Sequence, residues 1–168
     1  EQGEAACAFA SGLAGTDAVF ASLLRPGQSI VAYSDLYGGT YRLLERVYRP
    51  WGLDARYTDS TDPAAFADLV DYTTGMVWLE TPTNPLLRIL DIAEIARAVR
   101  ARKPDDLIFV VDNTFATPAL QQPLALGADL VVHSMTKYLA GHSDLVGGAV
   151  IAPTEETLAP IRFHQNAA

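Results

Sequence analysis

The sequence predicts an α/β fold in which a mostly parallel sheet is flanked by helices. Short β-rich runs alternate with helix-like segments along the chain, an order typical of parallel strands joined by covering helices. Several runs are apolar at consecutive positions, as a strand requires when both of its faces are covered. The helix-like segments end in residues that favour helix starts and stops.

The strands are expected where the apolar runs lie. None of these runs approaches the roughly 20 residues that a membrane span needs, so no transmembrane segment is predicted. The expected strands are Ala5 to Ala10, Ser29 to Tyr33, Ala55 to Thr58, Met76 to Glu80, Leu107 to Asp112, Leu130 to His133 and Gly148 to Ala152.

Four helices are predicted from apolar residues at helical spacing and from the residues at their ends. Asp62-Pro63 combines an N-cap with a first-turn proline, and Asp91 with Glu94 resembles a capping box. The segment from Thr117-Pro118 to Gly127 is expected to be one helix. The four helices begin at Gly12, Asp62-Pro63, Asp91 and Thr117-Pro118, and Pro26-Gly27 and Gly127 stop the first and the last.

The composition predicts one folded domain over residues 1–168. A hydrophobic share of 49% and a charged share of 19% exclude an intrinsically disordered chain. The net charge of −8 would repel a phosphate backbone, so nucleic acid is not an expected partner. Cys7 is the only cysteine, which excludes a multi-cysteine metal cluster and suits a reducing, cytoplasmic location. The three histidines lack metal-ligand spacing, so no metal is expected.

Both ends of the sequence look cut. Glu1 to Glu4 contains no initiator Met and no basic signal region, and the chain stops at Asn166-Ala167-Ala168 inside a helix-like stretch. The sequence is therefore interpreted as an internal piece of a longer protein.

Polar or glycine-rich residues follow five of the predicted strands. Ligands of parallel sheets bind beyond the carboxyl ends of the strands, where loops and helix N-termini meet. We therefore expect these residues to form one site. They are Ser11-Gly12, Tyr37-Gly38-Gly39, Glu80-Thr81-Pro82-Thr83-Asn84-Pro85, Asp112-Asn113-Thr114 and Ser134-Met135-Thr136-Lys137.

The chemistry of two of these segments suits a phosphorylated aldehyde. The hydroxyls of Ser134 and Thr136 can reach one anion, and the Lys137 amine can form an imine with a carbonyl compound. Gly12 opens a helix whose N–H groups can approach an anion closely. The alternatives are ordinary N-caps at Ser11 and Ser134 and a solvated lysine.

Three further residues suit the ring of such a ligand. Asp112 ends a strand, where a lone carboxylate needs a cation such as a protonated pyridine nitrogen. The Tyr37 ring can stack on a planar ligand, and the Asn84 amide can reach a phenolic oxygen. Taken singly, Asp112 and Asn84 also suit turns, and Tyr37 suits a surface rim. Together the five segments describe a pyridoxal 5'-phosphate site.

The same segments resemble the Cys/Met-metabolism family of pyridoxal phosphate-dependent enzymes. The resemblance is carried by the stretches that run from Ala8 to Ala14, Asp35 to Thr40, Glu80 to Pro85, Val110 to Phe115 and His133 to Asp144. It implies the large cofactor domain of the aspartate aminotransferase-like fold (fold type I), truncated at both ends. The N-terminal arm and the C-terminal small domain would be missing, and the piece alone would be inactive.

The resemblance also implies roles for individual residues. Lys137 would bind the cofactor covalently and then move protons, Asp112 would keep the pyridine nitrogen protonated, and Tyr37 would stack on the ring. Arg42 looks like a residue that binds substrate, as Tyr37 does. The cofactor-binding set would be Ser11, Gly12, Leu13, Tyr37, Asn84, Asp112, Thr114, Ser134, Thr136 and Lys137.

The spelling of these stretches resembles the cystathionine γ-lyase and γ-synthase members most. The implied reaction is α,γ-elimination of cystathionine to cysteine, 2-oxobutanoate and ammonia. The alternatives are γ-replacement on an O-acyl-homoserine and a non-catalytic relative that keeps the fold. The resemblance further implies a homotetramer whose active sites are shared between subunits.

Two other enzyme classes fit the sequence poorly. A dinucleotide-binding enzyme needs Gly-x-Gly-x-x-Gly after the first strand, whereas this chain has Gly12-Leu13-Ala14-Gly15. A serine hydrolase of the nucleophile-elbow type needs Gly-x-Ser-x-Gly, and the stretch from Gly141 to Leu145 lacks the final glycine.

Overall fold

The computed structural model describes residues 1–103 and 105–167, which form a seven-stranded sheet with helices on both faces. The order across the sheet is β1-β7-β6-β5-β4-β2-β3. The strands are β1 (Ala5–Phe9), β2 (Ser29–Tyr33), β3 (Asp54–Thr58), β4 (Thr74–Glu80), β5 (Ile108–Asp112), β6 (Leu130–Ser134) and β7 (Gly148–Ala152).

The helices lie between the strands. The described helices are α1 (Gly12–Leu23), α2 (Gly38–Leu43), a π-helical turn (Leu44–Tyr48), α3 (Arg49–Trp51), α4 (Pro63–Leu69), α5 (Ile92–Arg102), α6 (Thr117–Leu120), a 3-10 turn (Pro123–Leu126) and α7 (Glu155–Ala167). None of them is long and apolar enough to cross a membrane. Ala168, the end of the predicted helix-like stretch, lies outside the described residues.

The prediction of a mostly parallel sheet is confirmed. The five strands from β2 to β6 pair in parallel with one another, and β7 runs antiparallel to both β1 and β6. β7 is reversed because only turns join it to β6, and a strand that returns without a crossover must run the other way.

Alternate strand residues fill two separate apolar layers. On one face, Trp78 and Val110 pack with Phe20 of α1 and Leu158 of α7. On the other, neighbouring strand residues such as Val111 pack against α4 and α5. This alternation of side chains across a strand also decides which face each strand-end residue joins.

Two local predictions are corrected. The segment from Thr117 to Gly127 is not one helix, because Pro123 disfavours helix at the residue before it and Gln121 is extended at φ −148°. The Gln121 amide instead donates to the carbonyl of Thr81 and to Asn113 Oδ1. At α5, Asp91 accepts the N–H of Glu94 as predicted, but the Glu94 carboxylate pairs with Arg97 and so does not close the capping box.

Candidate active site

A cavity of about 500 Å³ lies where β2, β4, β5 and β6 end. It brings together all ten residues of the predicted cofactor-binding set, from five separate loops and strand ends. Its lining is Ser11, Gly12, Leu13, Thr16, Tyr37, Thr40, Glu80, Asn84, Asp112, Thr114, Phe115, Ser134, Thr136, Lys137 and Val146.

One end of the cavity is formed by the N-terminus of α1 against the end of β6. Ser11 is the N-cap, and its Oγ accepts the N–H of Ala14 at 3.0 Å. The absence of a side chain on Gly12 allows the close approach, since a Cβ there would lie 2.7 Å from Ser134 Cβ. The free N–H groups of a helix start therefore stand beside a serine hydroxyl, a combination suited to an anion.

The loop after β6 is tied to the start of β7. Thr136 Oγ1 donates to the carbonyl of Gly147 at 3.2 Å and accepts its N–H at 3.0 Å. Thr136 thus lines the cavity with its hydroxyl proton already directed to Gly147. Lys137 follows it, is exposed, and also lines a neighbouring cavity of about 510 Å³ with Phe115 and Val146.

Thr114 connects the ends of β5 and β6. Its hydroxyl donates to Asp112 Oδ1 at 2.5 Å and accepts the N–H of Ser134 at 2.8 Å. The Thr114 N–H also donates to Asp112 Oδ1, at 3.0 Å. These bonds fix the Asp112 carboxyl and the start of the Ser134 loop in one arrangement.

Glu80 is a site residue to which the sequence analysis assigned no role. It is the last residue of β4 and stands in register with Asp112, the last residue of β5. The residue is 5% exposed, and its Oε2 accepts the N–H of Tyr37 at 2.8 Å. Two carboxyls therefore face the cavity from adjacent strands.

The carboxyls of Glu80 and Asp112 lie close together without a cationic partner among the described residues. Burial, and then the charge of Asp112, raise the pKa of Glu80 above its usual range. Burial also raises the pKa of Asp112, although the Thr114 hydrogen bonds and His133 oppose it. No ion pair in residues 1–103 and 105–167 involves either carboxyl. A cationic ligand group beside Asp112 would reverse the effect and favour its ionised form.

The Asn84 loop is attached to the loop that carries Tyr37. Asp35 Oδ2 accepts the hydroxyl proton of Thr83 and, at 3.0 Å, the N–H of Leu86. Thr83 Oγ1 in turn accepts the N–H of Arg88 at 2.9 Å. Asn84 and Tyr37 therefore reach the cavity from two loops that are fixed to each other.

Arg42 is placed apart from the other predicted residues. It is exposed on α2 and is not among the residues that line the cavity. Five lining residues lie outside the predicted cofactor-binding set, and the sequence contained a signal for four of them. Glu80 lies in a strand-end segment that was already singled out, Thr16 and Thr40 lie about one helical turn after Gly12 and Tyr37, and Phe115 follows Thr114. The sequence contained no such signal for Val146.

Comparison with known proteins gives consistent results for sequence and structure. A sequence profile of the family described as "Cys/Met metabolism PLP-dependent enzyme" matches residues 1–168. The cystathionine gamma-synthase of Mycobacterium tuberculosis is 49% identical over 174 residues, which cover 100% of this chain and 42% of that protein.

Two solved structures are similar over nearly the whole chain. The crystal structure of metB from Corynebacterium glutamicum has a TM-score of 0.94 at 43% identity and covers 99% of this chain. A cystathionine gamma-lyase from Lactobacillus plantarum, complexed with L-serine, has a TM-score of 0.92 at 46% identity and covers 98%. The chain spans 43% and 42% of those two chains.

Proposed function

The chain belongs to the Cys/Met metabolism family of pyridoxal phosphate-dependent enzymes, and we propose that the full-length protein carrying it is a transsulfuration enzyme. The first candidate reaction is α,γ-elimination of cystathionine to cysteine, 2-oxobutanoate and ammonia. The single observation that supports it most is the convergence of Lys137, Asp112 and the α1 N-terminus on one cavity. Residues 1–168 would be a piece of its cofactor-binding large domain.

The residues around the cavity fit pyridoxal phosphate. The α1 N-terminus with Ser134 offers donors to a phosphate, and the carboxyl of Asp112, which has no cationic partner among the described residues, offers a counter-ion to a protonated ring nitrogen. The Asn84 amide suits the ring hydroxyl. When bound, the cofactor supplies an electron sink for negative charge at the substrate's α-carbon.

The chain's own residues then have distinct roles in the proposal. The Lys137 amine would hold the cofactor and would also be the group that moves protons at the substrate's α-carbon and beyond. Asp112, fixed by Thr114, keeps the ring nitrogen protonated. Tyr37 would stack on one face of the ring and would exclude water from it. Arg42 would take part in binding only if α2 or the substrate brings it nearer.

Borohydride reduction tests this assignment, because it fixes the cofactor to whichever amine holds it. The chain contains two lysines, Lys137 and Lys103. Lys103 is a matched control, since its Nζ donates to the carbonyl of Thr74 at 2.6 Å. Lys103 is not among the residues that line the cavity. We expect the label on the Lys137 peptide, its loss in K137A and its retention in K103A. Absence of label from the Lys137 peptide of the full-length wild-type protein would reject the proposal.

A second candidate is γ-replacement on an O-acyl-homoserine. It is favoured by the 49% identity to a protein named cystathionine gamma-synthase, against 46% to the cystathionine gamma-lyase of Lactobacillus plantarum. Assays of the full-length protein separate the two. Release of 2-oxobutanoate from cystathionine supports elimination, and formation of cystathionine from cysteine and an O-acyl-homoserine supports replacement.

The proposal extends to assembly and location. It includes a homotetramer with active sites shared between subunits, which the resemblance of the sequence implies, and a location in the cytoplasm, which the single cysteine suits. Light scattering of the full-length holoenzyme measures the number of subunits. Complementation between a K137A subunit and a subunit that is defective in the N-terminal arm tests the sharing.

A further inference from the structure

We propose that Glu80 is a positioning residue of the cofactor site, which fixes the backbone of Tyr37 and thereby holds the Tyr37 ring over the ring of the ligand. The inference rests on the proposed function, because it assigns a task to a residue of the same cavity. It concerns a residue that contacts Tyr37 and need not contact the ligand.

The contact joins two distant parts of the chain at a defined point. Glu80 Oε2 accepts the N–H of Tyr37 at 2.8 Å, across 43 residues of sequence. Tyr37 is the N-cap residue of α2, and its own side chain makes no capping hydrogen bond. Tyr37 is 46% exposed and lines the cavity. The ring lies against Gly39, where an added Cβ would come within 3.0 Å of Tyr37 Cδ1. Its position therefore follows the backbone at the start of α2, which Glu80 holds.

The fold does not depend on this hydrogen bond alone. The loop before α2 is also attached to the loop after β4 through Asp35, which accepts from Thr83 Oγ1 and from the N–H of Leu86. Removal of the Glu80 carboxyl leaves these bonds intact. We therefore expect a folded protein in which Tyr37 is free to move while Asn84 stays in place.

The task needs an acceptor oxygen and not a negative charge. Burial and the charge of Asp112 raise the pKa of Glu80, which favours the neutral form of the Glu80 carboxyl. A glutamine has the same length and retains an oxygen that can accept the Tyr37 N–H. Glu80→Gln is therefore the conservative variant, and Glu80→Ala removes the acceptor.

The test measures cofactor binding to the full-length protein, by absorbance titration with pyridoxal phosphate and by circular dichroism of the cofactor band. We expect E80A to weaken binding about tenfold and to reduce the dichroic band, because loss of a hydrogen bond that orders a binding loop typically costs about that much. E80Q is expected to restore both values to within about twofold of wild type. Thermal unfolding of the cofactor-free variants confirms that they are folded.

Asp129 provides a matched control at the other end of the strands, directly before β6 begins. Its Oδ2 accepts the N–H of Phe109 at 2.7 Å, so it is also a carboxylate that holds a distant backbone amide. D129A is expected to lower stability and to leave the dichroic band unchanged. Wild-type binding and dichroism in E80A would overturn the inference, as would an E80Q variant as impaired as E80A. A wild-type protein that takes up no pyridoxal phosphate would instead reject the proposed function, and this inference with it.

Discussion

Gly12→Ala tests whether the approach of α1 to β6 builds the anion-binding end of the cavity. A Cβ at position 12 would lie 2.7 Å from Ser134 Cβ and 2.8 Å from Ser134 Cα, whereas carbon atoms in contact prefer about 3.5–4.0 Å. The helix start must therefore move away from Ser134 by about 1 Å. Overpacking of this kind costs about 1–3 kcal/mol of unfolding free energy.

The same displacement separates the N–H groups of α1 from the Ser134 hydroxyl. Each hydrogen bond to a charged group contributes about 1.5–3 kcal/mol, so the loss of one weakens pyridoxal phosphate binding about tenfold or more. Absorbance titration of the cofactor-free, full-length variant measures the dissociation constant, and urea unfolding measures the stability. A G12A variant that binds pyridoxal phosphate as the wild type does would refute the reasoning.

Gly15 offers the matched control one turn further along α1. A Cβ there would lie 3.3 Å from Val150 Cγ2 and 3.4 Å from Phe9 Cδ2, which are side-chain atoms that can adjust. Alanine is favoured over glycine inside a helix by about 1 kcal/mol. G15A is therefore expected to retain stability and cofactor affinity. Of the two alanine substitutions, only G12A, which faces Ser134, is expected to affect the site.

Three other predictions follow from buried groups. Asp112→Asn removes the counter-ion of the ring nitrogen. Because breaking a buried ion pair costs about 3–5 kcal/mol, turnover of the full-length protein should fall by at least about a hundredfold. The pKa of Glu80 is raised above its usual 4.5. Above pH 4.5 the folded state therefore keeps a proton on Glu80 that the unfolded state has lost, and the cofactor-free wild type loses stability as the pH rises towards the pKa of the folded state. Glu80→Gln lacks the part of this loss that Glu80 causes, while the raised pKa of Asp112 acts in the same direction in both proteins. Urea unfolding at about pH 5 and about pH 8 checks the difference between the two proteins. Phe20→Ala should destabilise the protein by about 3–5 kcal/mol in the same assay, because Phe20 is fully buried with its ring centroid 5.0 Å from that of Trp78 and 5.5 Å from that of Tyr48.

The strands were predictable because their apolar runs end in polar residues at the sheet edge. The segment from Gly38 to Trp51 was not predicted as helical, although it forms α2, a π-helical turn and α3. Its glycines, tyrosines and proline have weak helix propensity. The segment is helical because Leu44 and Tyr48 pack into the layer that contains Phe20, a tertiary contact that no local pattern reveals.

The site residues were predictable from strand ends, whereas their partners depend on strand order. Glu80, Asp112 and Ser134 end three strands that are neighbours in the sheet, in the order β4, β5 and β6. All three point to the face that α1 covers, because Trp78, Val110 and Val132, two residues before them, lie in that layer. A shift of one residue in any of these runs would turn its last side chain to the α5 face. The alternation that fills the apolar layer under α1 therefore also decides which carboxyls and hydroxyls can meet a ligand there.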